Sequence, residues 1–230
     1  MVDAVKNHAE SMLQSMHWAP VYLSSEPGHW MEDETAWVLN LLDGRENLIT
    51  GIEHGAVTYA LVARGRPIVG AVAPVFSNGW YMAAVELGSW SQKDRQEPQR
   101  VEVSSAGTLA ESTLTFGLPP SDKSAAAFRP AARMRTKARG VRLRGCSSLD
   151  LVDVARGATH GHFEASVRPA DAAAGMLILD EAGGISTDWR GQIIHARDSA
   201  GTVNLAASNG RIQREIVQIL ATTKAGSVGA

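Results

Sequence analysis

The sequence lacks the features that would tie a chain to a membrane, an oxidising compartment or a polyanion. Its only cysteine, Cys146, has no partner for an internal disulfide or a thiolate metal site, which is typical of a reducing cytoplasm. The formal net charge of −2 provides no overall attraction for nucleic acid or anionic lipid. No window approaches the roughly eighteen apolar residues that span a bilayer, and residues 1–15 lack the apolar stretch of a signal peptide. We therefore expect a cytoplasmic protein without a membrane partner.

The length and composition are those of one folded domain. The chain has 230 residues, of which 44% are hydrophobic and 20% are charged, so one sizeable core can form and a second full domain is not expected. Helix-like and strand-like segments alternate without internal repeats, which predicts a layered α/β or α+β domain. We expect this domain to cover residues 1–222 and residues 223–230 to be a flexible tail.

Hydrophobic periodicity predicts the order of the elements. An amphipathic helix is expected over residues 5–16, and an antiparallel meander over residues 56–90. Further strands are predicted at 21–23, 37–42, 101–105, 114–116, 161–167 and 202–207. Further helices are predicted at 121–128 (with Ser121 as its cap), 147–156, 170–182 and 212–220.

Two segments resemble the two signatures of the inositol monophosphatase family, in order and at a suitable separation. Residues 37–48 read W-V-L-N-L-L-D-G-R-E-N-L, against the signature W-[IV]-x-D-P-[IL]-D-G-T-x-N-F. Residues 170–184 begin A-D-A-A-A-G and end E-A-G-G, against W-D-x-A-A-G followed by an apolar run and E-A-G-G. Between them, residues 145–150 read G-C-S-S-L-D, similar to the loop G-S-A-A-L-D, and Glu164 precedes Asp171 at the usual spacing.

The resemblance extends over about residues 2–220 and implies the fold. Alternating layers of helix and sheet are expected, as in the inositol monophosphatase or sugar phosphatase domain. The family's first helix is expected to be missing, because the chain begins where the second helix would begin. Members of the family commonly pair, so a homodimer is expected.

The resemblance also implies Mg²⁺-dependent hydrolysis of phosphate monoesters. In the family, two or three Mg²⁺ ions neutralise the phosphate, generate the nucleophilic water and stabilise the leaving oxygen. Carried over, the ligand positions are Asn40, Asp43, Asp171 and the Leu42 carbonyl. The family's G-E-E motif falls on residues 24–26, S-S-E, where Glu26 substitutes only after a one-residue shift.

Of the four carboxylates that the family uses as Mg²⁺ ligands, this chain therefore keeps two, or three if Glu26 is counted. Two divalent ions about 4 Å apart repel by several kcal/mol even at an effective dielectric near 20, and an amide does not offset this as a carboxylate would. We therefore expect one Mg²⁺ ion at most, on Asp43, Asp171 and either the Leu42 carbonyl or Asn40.

The family's water-positioning threonine is replaced by Arg45. Arginine stays protonated at neutral pH and cannot act as a general base. Its guanidinium can instead grip a phosphate or neutralise the carboxylates where a metal would lie. Asp43, Arg45 and Asp171 are accordingly the predicted residues of the reacting centre.

The part of the site that would bind substrate hydroxyls is better preserved. The resemblance assigns hydroxyl binding to Glu164, and the loop of residues 145–148 can present backbone amides at a helix N-terminus. The expected ligand is a small phosphorylated or polyhydroxylated molecule. The predicted ligand-binding residues are Gly44, Arg45, Gly145, Ser147, Ser148 and Glu164.

Each assignment has a purely structural alternative. Asp43 can be a turn residue, Asp171 a helix N-cap and Asn40 a satisfied polar group. His160 and His162 share one strand face with Glu164, so the three can form a replacement metal or acid/base set, although such histidines are more often sheet residues.

A basic segment, residues 129–144, carries seven Lys and Arg residues and no acid. It can attract a nucleotide, a polyphosphate or an acidic partner, or it can be a solvated face. Nucleic acid is disfavoured because no aromatic residues are interleaved for stacking.

These observations lead to three hypotheses. The first is a phosphatase acting on a sugar, cyclitol or nucleotide phosphate with weakened or atypical Mg²⁺-dependent hydrolysis. The second is a non-catalytic relative that binds a phosphorylated ligand or a partner protein, motivated by Ser25, Asn40 and Arg45. The third is a different reaction on a related ligand in the pocket around Glu164.

Overall fold

A computed structural model describes residues 21–23, 35–118, 125–194 and 201–222. Four predicted features lie outside the described residues: the helix over 5–16, the Glu26 ligand position, the Ser121 cap and the tail over 223–230. Within the described ranges, no helix is long and apolar enough to cross a membrane.

The first half of the described chain is a seven-stranded sheet in sequence order. β1 runs parallel to β2, and every later neighbour is antiparallel, which confirms the predicted meander. The β3–β4 turn has positive φ at Arg64 and Gly65, as tight hairpin turns require. The strands are β1 (Val21–Leu23), β2 (Thr35–Asp43), β3 (Ala56–Ala63), β4 (Arg66–Pro74), β5 (Gly79–Ala84), β6 (Gly88–Lys93) and β7 (Gln99–Val101).

The second half forms a five-stranded mixed sheet in the order β11-β12-β10-β8-β9. β10 lies at its centre, parallel to β8 and antiparallel to β12, so its backbone is paired along both edges. The strands are β8 (Thr113–Gly117), β9 (Gly140–Leu143), β10 (Gly161–Val167), β11 (Ile185–Asp188) and β12 (Val203–Ser208).

The helices form two layers. α3 and α4 pack against each other between the two sheets, whereas α2 and α5 pack on the far side of the five-stranded sheet. Neighbouring β12 residues face opposite layers, since Leu205 contributes to the core around α3 and α4 and Ala206 to the core around α5. The helices are α1 (Arg45–Thr50), α2 (Arg129–Arg135), α3 (Ser147–Ala155), α4 (Pro169–Glu181) and α5 (Gln213–Ala221).

α4 is apolar on every side because it lies between two sheets. Ten of its thirteen residues are buried, as expected for a helix without a solvent face. Its small side chains allow close approach, since a Cβ added to Gly70 on β4 would lie 3.0 Å from Ala174 Cα. This contact places the N-terminal half of α4, which carries Asp171, against the seven-stranded sheet.

Most predicted elements are confirmed, with shifts of one or two residues at their ends. The strand predicted over 101–105 is wrong beyond Val101, because Val103 donates its N–H to the Ala182 carbonyl after α4 instead of pairing with a strand. Four elements of the structure were not predicted: α1, which begins directly after Gly44, and α2, β9 and β11.

Candidate functional site

The site begins where β2 leaves its regular pairing with β3. The register shifts between Asn40 and Asp43, an irregularity that redirects the side chains at the end of the strand. Gly44 follows with φ of 78°, and a Cβ there would lie 2.6 Å from the His54 carbonyl oxygen. Only glycine fits this turn, after which α1 begins at Arg45.

Asp43 is bound by the N-terminus of α3. Its Oδ2 accepts hydrogen bonds from the Ser148 amide at 2.7 Å, the Ser148 hydroxyl at 2.6 Å and the Cys146 thiol at 3.4 Å. Its Oδ1 accepts from the Gly44 amide at 2.9 Å. Burial raises the pKa of Asp43, although the bonds from Ser148 oppose this shift. Both carboxylate oxygens therefore already have protein donors.

Asp171 is neutralised by different neighbours. Its Oδ2 pairs with Arg168 Nε at 2.7 Å, and its Oδ1 accepts from Asn40 Nδ2 at 3.3 Å. Asn40 Oδ1 in turn accepts from the Leu42 amide at 3.3 Å. The structure thus joins two predicted metal-ligand positions, Asn40 and Asp171, by a direct hydrogen bond. The arginine was not predicted, although its spacing of three residues before Asp171 is typical of helical ion pairs.

Arg45 lies apart from these pairs. It is exposed at the first position of α1, and it forms no ion pair with Asp43 or Asp171. The cation that meets Asp171 is Arg168, and the donors that meet Asp43 come from α3. Among the described residues, no group of three His, Cys, Asp or Glu side chains could hold a metal ion.

Asn47 fastens the loop of residues 145–148 to α1. Its side-chain amide donates to the carbonyls of His54 at 2.8 Å, Arg144 at 2.7 Å and Gly145 at 3.4 Å. Gly145 follows with φ of 73°, a conformation that favours glycine. Asn47 was not predicted as a site residue, although it occupies the asparagine of the first signature.

Glu164 is held by two donors on one oxygen. Ser147 Oγ donates to its Oε2, and His162 Nε2 lies 3.2 Å from the same atom. The carboxylate passes over Gly117 of β8, where a Cβ would lie 2.3 Å from Glu164 Cδ, so glycine makes room for it. No described residue donates to Oε1, which leaves that oxygen as an acceptor for a ligand hydroxyl.

The two histidines do not form one set with Glu164. His160 lies before β10, and its Nδ1 accepts from the Thr113 amide at 3.1 Å. His162 instead lies within β10, with its Nδ1 2.9 Å from Thr115 Oγ1. A three-residue metal site on this strand face is therefore not formed.

The basic segment divides between surface and interior. Arg144 pairs with Asp150 and Asp153 of α3, each at 2.5 Å. The other six cations are exposed on α2, the following turn and β9: Arg129, Arg133, Arg135, Lys137, Arg139 and Arg142.

Known proteins resemble this chain in sequence. The profile described as "Inositol monophosphatase family" matches residues 13–225. "Nus factor SuhB" of Xylella fastidiosa is 28% identical over 208 residues, covering 89% of this chain and 74% of the relative. "Inositol-1-monophosphatase" of Synechocystis is 29% identical over 198 residues, covering 84% and 65%. "Nus factor SuhB" of Pasteurella multocida is 31% identical over 188 residues, covering 81% and 67%.

Solved structures share the fold. Mycobacterium tuberculosis SuhB superposes with a TM-score of 0.81 at 27% identity, covering 96% of this chain and 83% of that chain. The Thermotoga maritima IMPase also gives 0.81, at 23% identity over 96% and 81% of the two chains, which supports the fold alone. Because the family profile covers nearly the whole chain and the layered fold agrees, this chain belongs to the inositol monophosphatase family.

Proposed function

We propose that this chain binds a small phosphorylated polyol and does not hydrolyse it efficiently with Mg²⁺. The observation that supports this is the state of Asp171, whose carboxylate is paired with Arg168 and hydrogen-bonded to Asn40. The positive charge that the family obtains from a metal is supplied here by a side chain.

The groups around the two aspartates do not provide the ligand atoms that Mg²⁺ requires. Mg²⁺ requires a nearly octahedral shell of hard oxygens and usually takes them from carboxylates. Asn40 presents its amide nitrogen to Asp171, and reversing that amide would break its bond from Leu42. Asp43 already accepts from Gly44, Cys146 and Ser148. We infer that Mg²⁺ does not fit the described residues, so no catalytic step is assigned to it.

The remaining side chains of the candidate site suit a ligand with hydroxyls and a phosphate. Glu164 Oε1 is placed to accept a hydroxyl, because Ser147 and His162 hold only Oε2. Arg45 is exposed beside Gly44, where its guanidinium can bind phosphate oxygens in a bidentate manner. Ligand binding therefore rests on Glu164 and Arg45, and the two aspartates serve mainly to shape the site.

The ligand class follows from the family. The curated relatives include one named Inositol-1-monophosphatase and others named Nus factor SuhB, and this chain matches 65% to 74% of the lengths of the first three. An inositol monophosphate is accordingly the first probe. Mg²⁺-dependent hydrolysis, general in the family, is the competing function.

The test is isothermal titration calorimetry of the full chain with myo-inositol 1-phosphate, with either Mg²⁺ or a chelator present, alongside a phosphate-release assay. We expect binding in both buffers and no phosphate release above the rate without protein. Mg²⁺-dependent release that disappears in Asp171→Asn would contradict the proposal and establish the phosphatase. Absence of binding in both buffers would also contradict it.

Matched variants locate the binding. Glu164→Gln should weaken binding about tenfold, because a hydrogen bond to a charged acceptor becomes a neutral one. Glu215→Gln, an exposed change on α5, should leave affinity unchanged. Equal affinities for the two variants would show that the ligand does not contact Glu164.

A further inference from the structure

His162 is a fully buried histidine that contacts Glu164, the proposed ligand-binding carboxylate. Its side chain is 0% exposed. Nε2 lies 3.2 Å from Glu164 Oε2, and Nδ1 lies 2.9 Å from Thr115 Oγ1 and 3.6 Å from Asp150 Oδ2. A buried imidazole between two carboxylates is not explained by packing alone.

The contacts continue from His162 to the surface. Asp150, also buried, pairs with Arg144, which pairs in turn with Asp153. Arg156 completes the series by pairing with Asp153 at 2.6 Å. Ser147 and Glu164 form the opposite end, at the proposed ligand-binding site. One connected polar network thus links this site to the far end of α3.

When its three carboxylates are ionised, this network is neutral if His162 is protonated. Three carboxylates, those of Asp150, Asp153 and Glu164, face two arginines, Arg144 and Arg156. A neutral imidazole would leave one excess negative charge in a largely buried region, which is costly. Burial alone would lower the pKa of His162, but Glu164 and Asp150 outweigh burial and the nearby Arg144, so the pKa is raised.

We propose that His162 is a positioning residue whose imidazolium fixes Glu164 Oε2 and thereby directs Oε1 at a hydroxyl of the ligand. This inference rests on the proposed function, since it concerns how that ligand is held. Ser147 and His162 bind one oxygen from two directions, so the carboxylate cannot rotate. When His162 loses its proton, the charge-assisted bond becomes a neutral one and Glu164 is held less firmly.

The groups facing His162 come from each neighbouring element. Asp150 faces it from α3, Glu164 from β10 itself, Thr115 from β8, and Arg144 from the segment after β9. The two acids favour the imidazolium, and Arg144 opposes it. Ligand affinity should therefore fall as the pH rises through the pKa of His162.

The first experiment follows His162 directly, without ligand, by NMR titration of its ring. We expect the pKa of His162 to drop in Glu164→Gln, because the largest favourable contact loses its charge. His160→Gln is the matched control, since His160 contacts the Thr113 backbone and not this network. A His162 pKa that is the same in Glu164→Gln and in wild type would overturn the proposal.

The second experiment measures affinity for myo-inositol 1-phosphate against pH. Wild type and His160→Gln should lose roughly fivefold in affinity across the titration, the difference between a charged and a neutral hydrogen bond. His162→Gln, which keeps a donor but cannot titrate, should bind with no such pH dependence. His162→Phe, which keeps an aromatic ring of similar size, should bind weakly at every pH.

The two experiments separate this inference from the proposed function. If the His162 pKa responds to Glu164→Gln but the ligand never binds, the proposed function and the ligand-orienting role are both overturned. If the ligand binds and His162→Gln retains the wild-type pH dependence, the proposed function stands and the role of His162 is overturned.

Discussion

The candidate site has two halves that differ in how completely the protein satisfies its own charges. In the cation half, Asp43 and Asp171 have donors on both carboxylate oxygens, and one of those donors is the guanidinium of Arg168. In the hydroxyl half, Glu164 has two donors on one oxygen. In the first half the carboxylate oxygens already have donors from the protein, whereas in the second no described residue donates to Glu164 Oε1.

Two adjacent residues at the N-terminus of α3 serve the two halves. Ser148 contributes its amide and hydroxyl to Asp43, while Ser147 contributes its hydroxyl to Glu164. The N-terminus of α3 therefore serves mainly the protein's own carboxylates. Such a terminus favours any anion, and here a side chain already takes that position. The comparison suggests that ligand recognition depends on the hydroxyl half.

The largest expected effect is that of removing Asp43. Asp43→Ala leaves the Ser148 amide and hydroxyl without their acceptor and uncaps α3, so the free energy of unfolding should fall by about 2 kcal/mol. Urea denaturation of the variant and wild type measures this loss.

Asp43→Asn is the matched control. Its side-chain carbonyl can still accept from Ser148, so we expect a loss of about 1 kcal/mol or less. If Asp43→Ala were as stable as wild type, the cation half could not be described as satisfied by α3.

The next effect tests whether the cation half can be reopened. Replacing Asn40→Asp and Arg168→Ala together changes the formal charge around Asp171 from zero to −2. A divalent cation near these groups should then bind at least about tenfold more tightly, because the added Coulomb attraction exceeds 1.4 kcal/mol. Calorimetric titration with Mn²⁺ measures the gain.

The control carries the same charge change elsewhere. Asn78→Asp with Arg214→Ala alters two exposed residues and should leave Mn²⁺ affinity unchanged. Equal gains in both double variants would mean that net charge, and not the restored ligand geometry, attracts the ion.

The sequence predicted the fold well where pattern and length agreed. α4 was found because its apolar run is long and is closed by Gly183-Gly184, and β10 matched at both ends. α1 was missed because six residues with no buried side chain carry no periodic signal. The strand predicted over 101–105 was too long, because a sequence that favours an extended backbone does not show whether that segment pairs with another strand.

The same distinction applies to the site. The positions of Asn40 and Asp171 could be matched to signatures, and the structure places these two side chains in contact. The role of Arg168 could not be predicted from the signatures. Which cation reaches a carboxylate depends on side-chain direction and on the neighbouring strand. Ser148 was expected to face a ligand, and whether Asp43 or a ligand receives its amide depends on three-dimensional placement.

The buried titratable groups of the hydroxyl half should also affect how the free energy of unfolding depends on pH. The pKa of His162 is raised above its ordinary 6.5, so its contribution is fully present below that pH and is lost as the pH rises through the folded-state pKa. Burial raises the pKa of Asp150 to about 6, which adds a similar decline at lower pH. Unfolding free energies measured against pH should decline less steeply above 6.5 in His162→Gln. An unchanged slope would show that His162 does not titrate with folding.

The smallest effect separates the two arginines near the cation half. A double-mutant cycle of Arg168→Ala with Asp171→Asn should give a coupling energy of about 0.5 kcal/mol, because the pair is well aligned but Arg168 is 48% exposed. The parallel cycle of Arg45→Ala with Asp171→Asn should give a coupling near zero, since Arg45 forms no ion pair with Asp171. Denaturant unfolding at low ionic strength measures both. If Arg45 were the more strongly coupled residue, it would be the cation that replaces the metal, and Arg168 would be an ordinary surface pair.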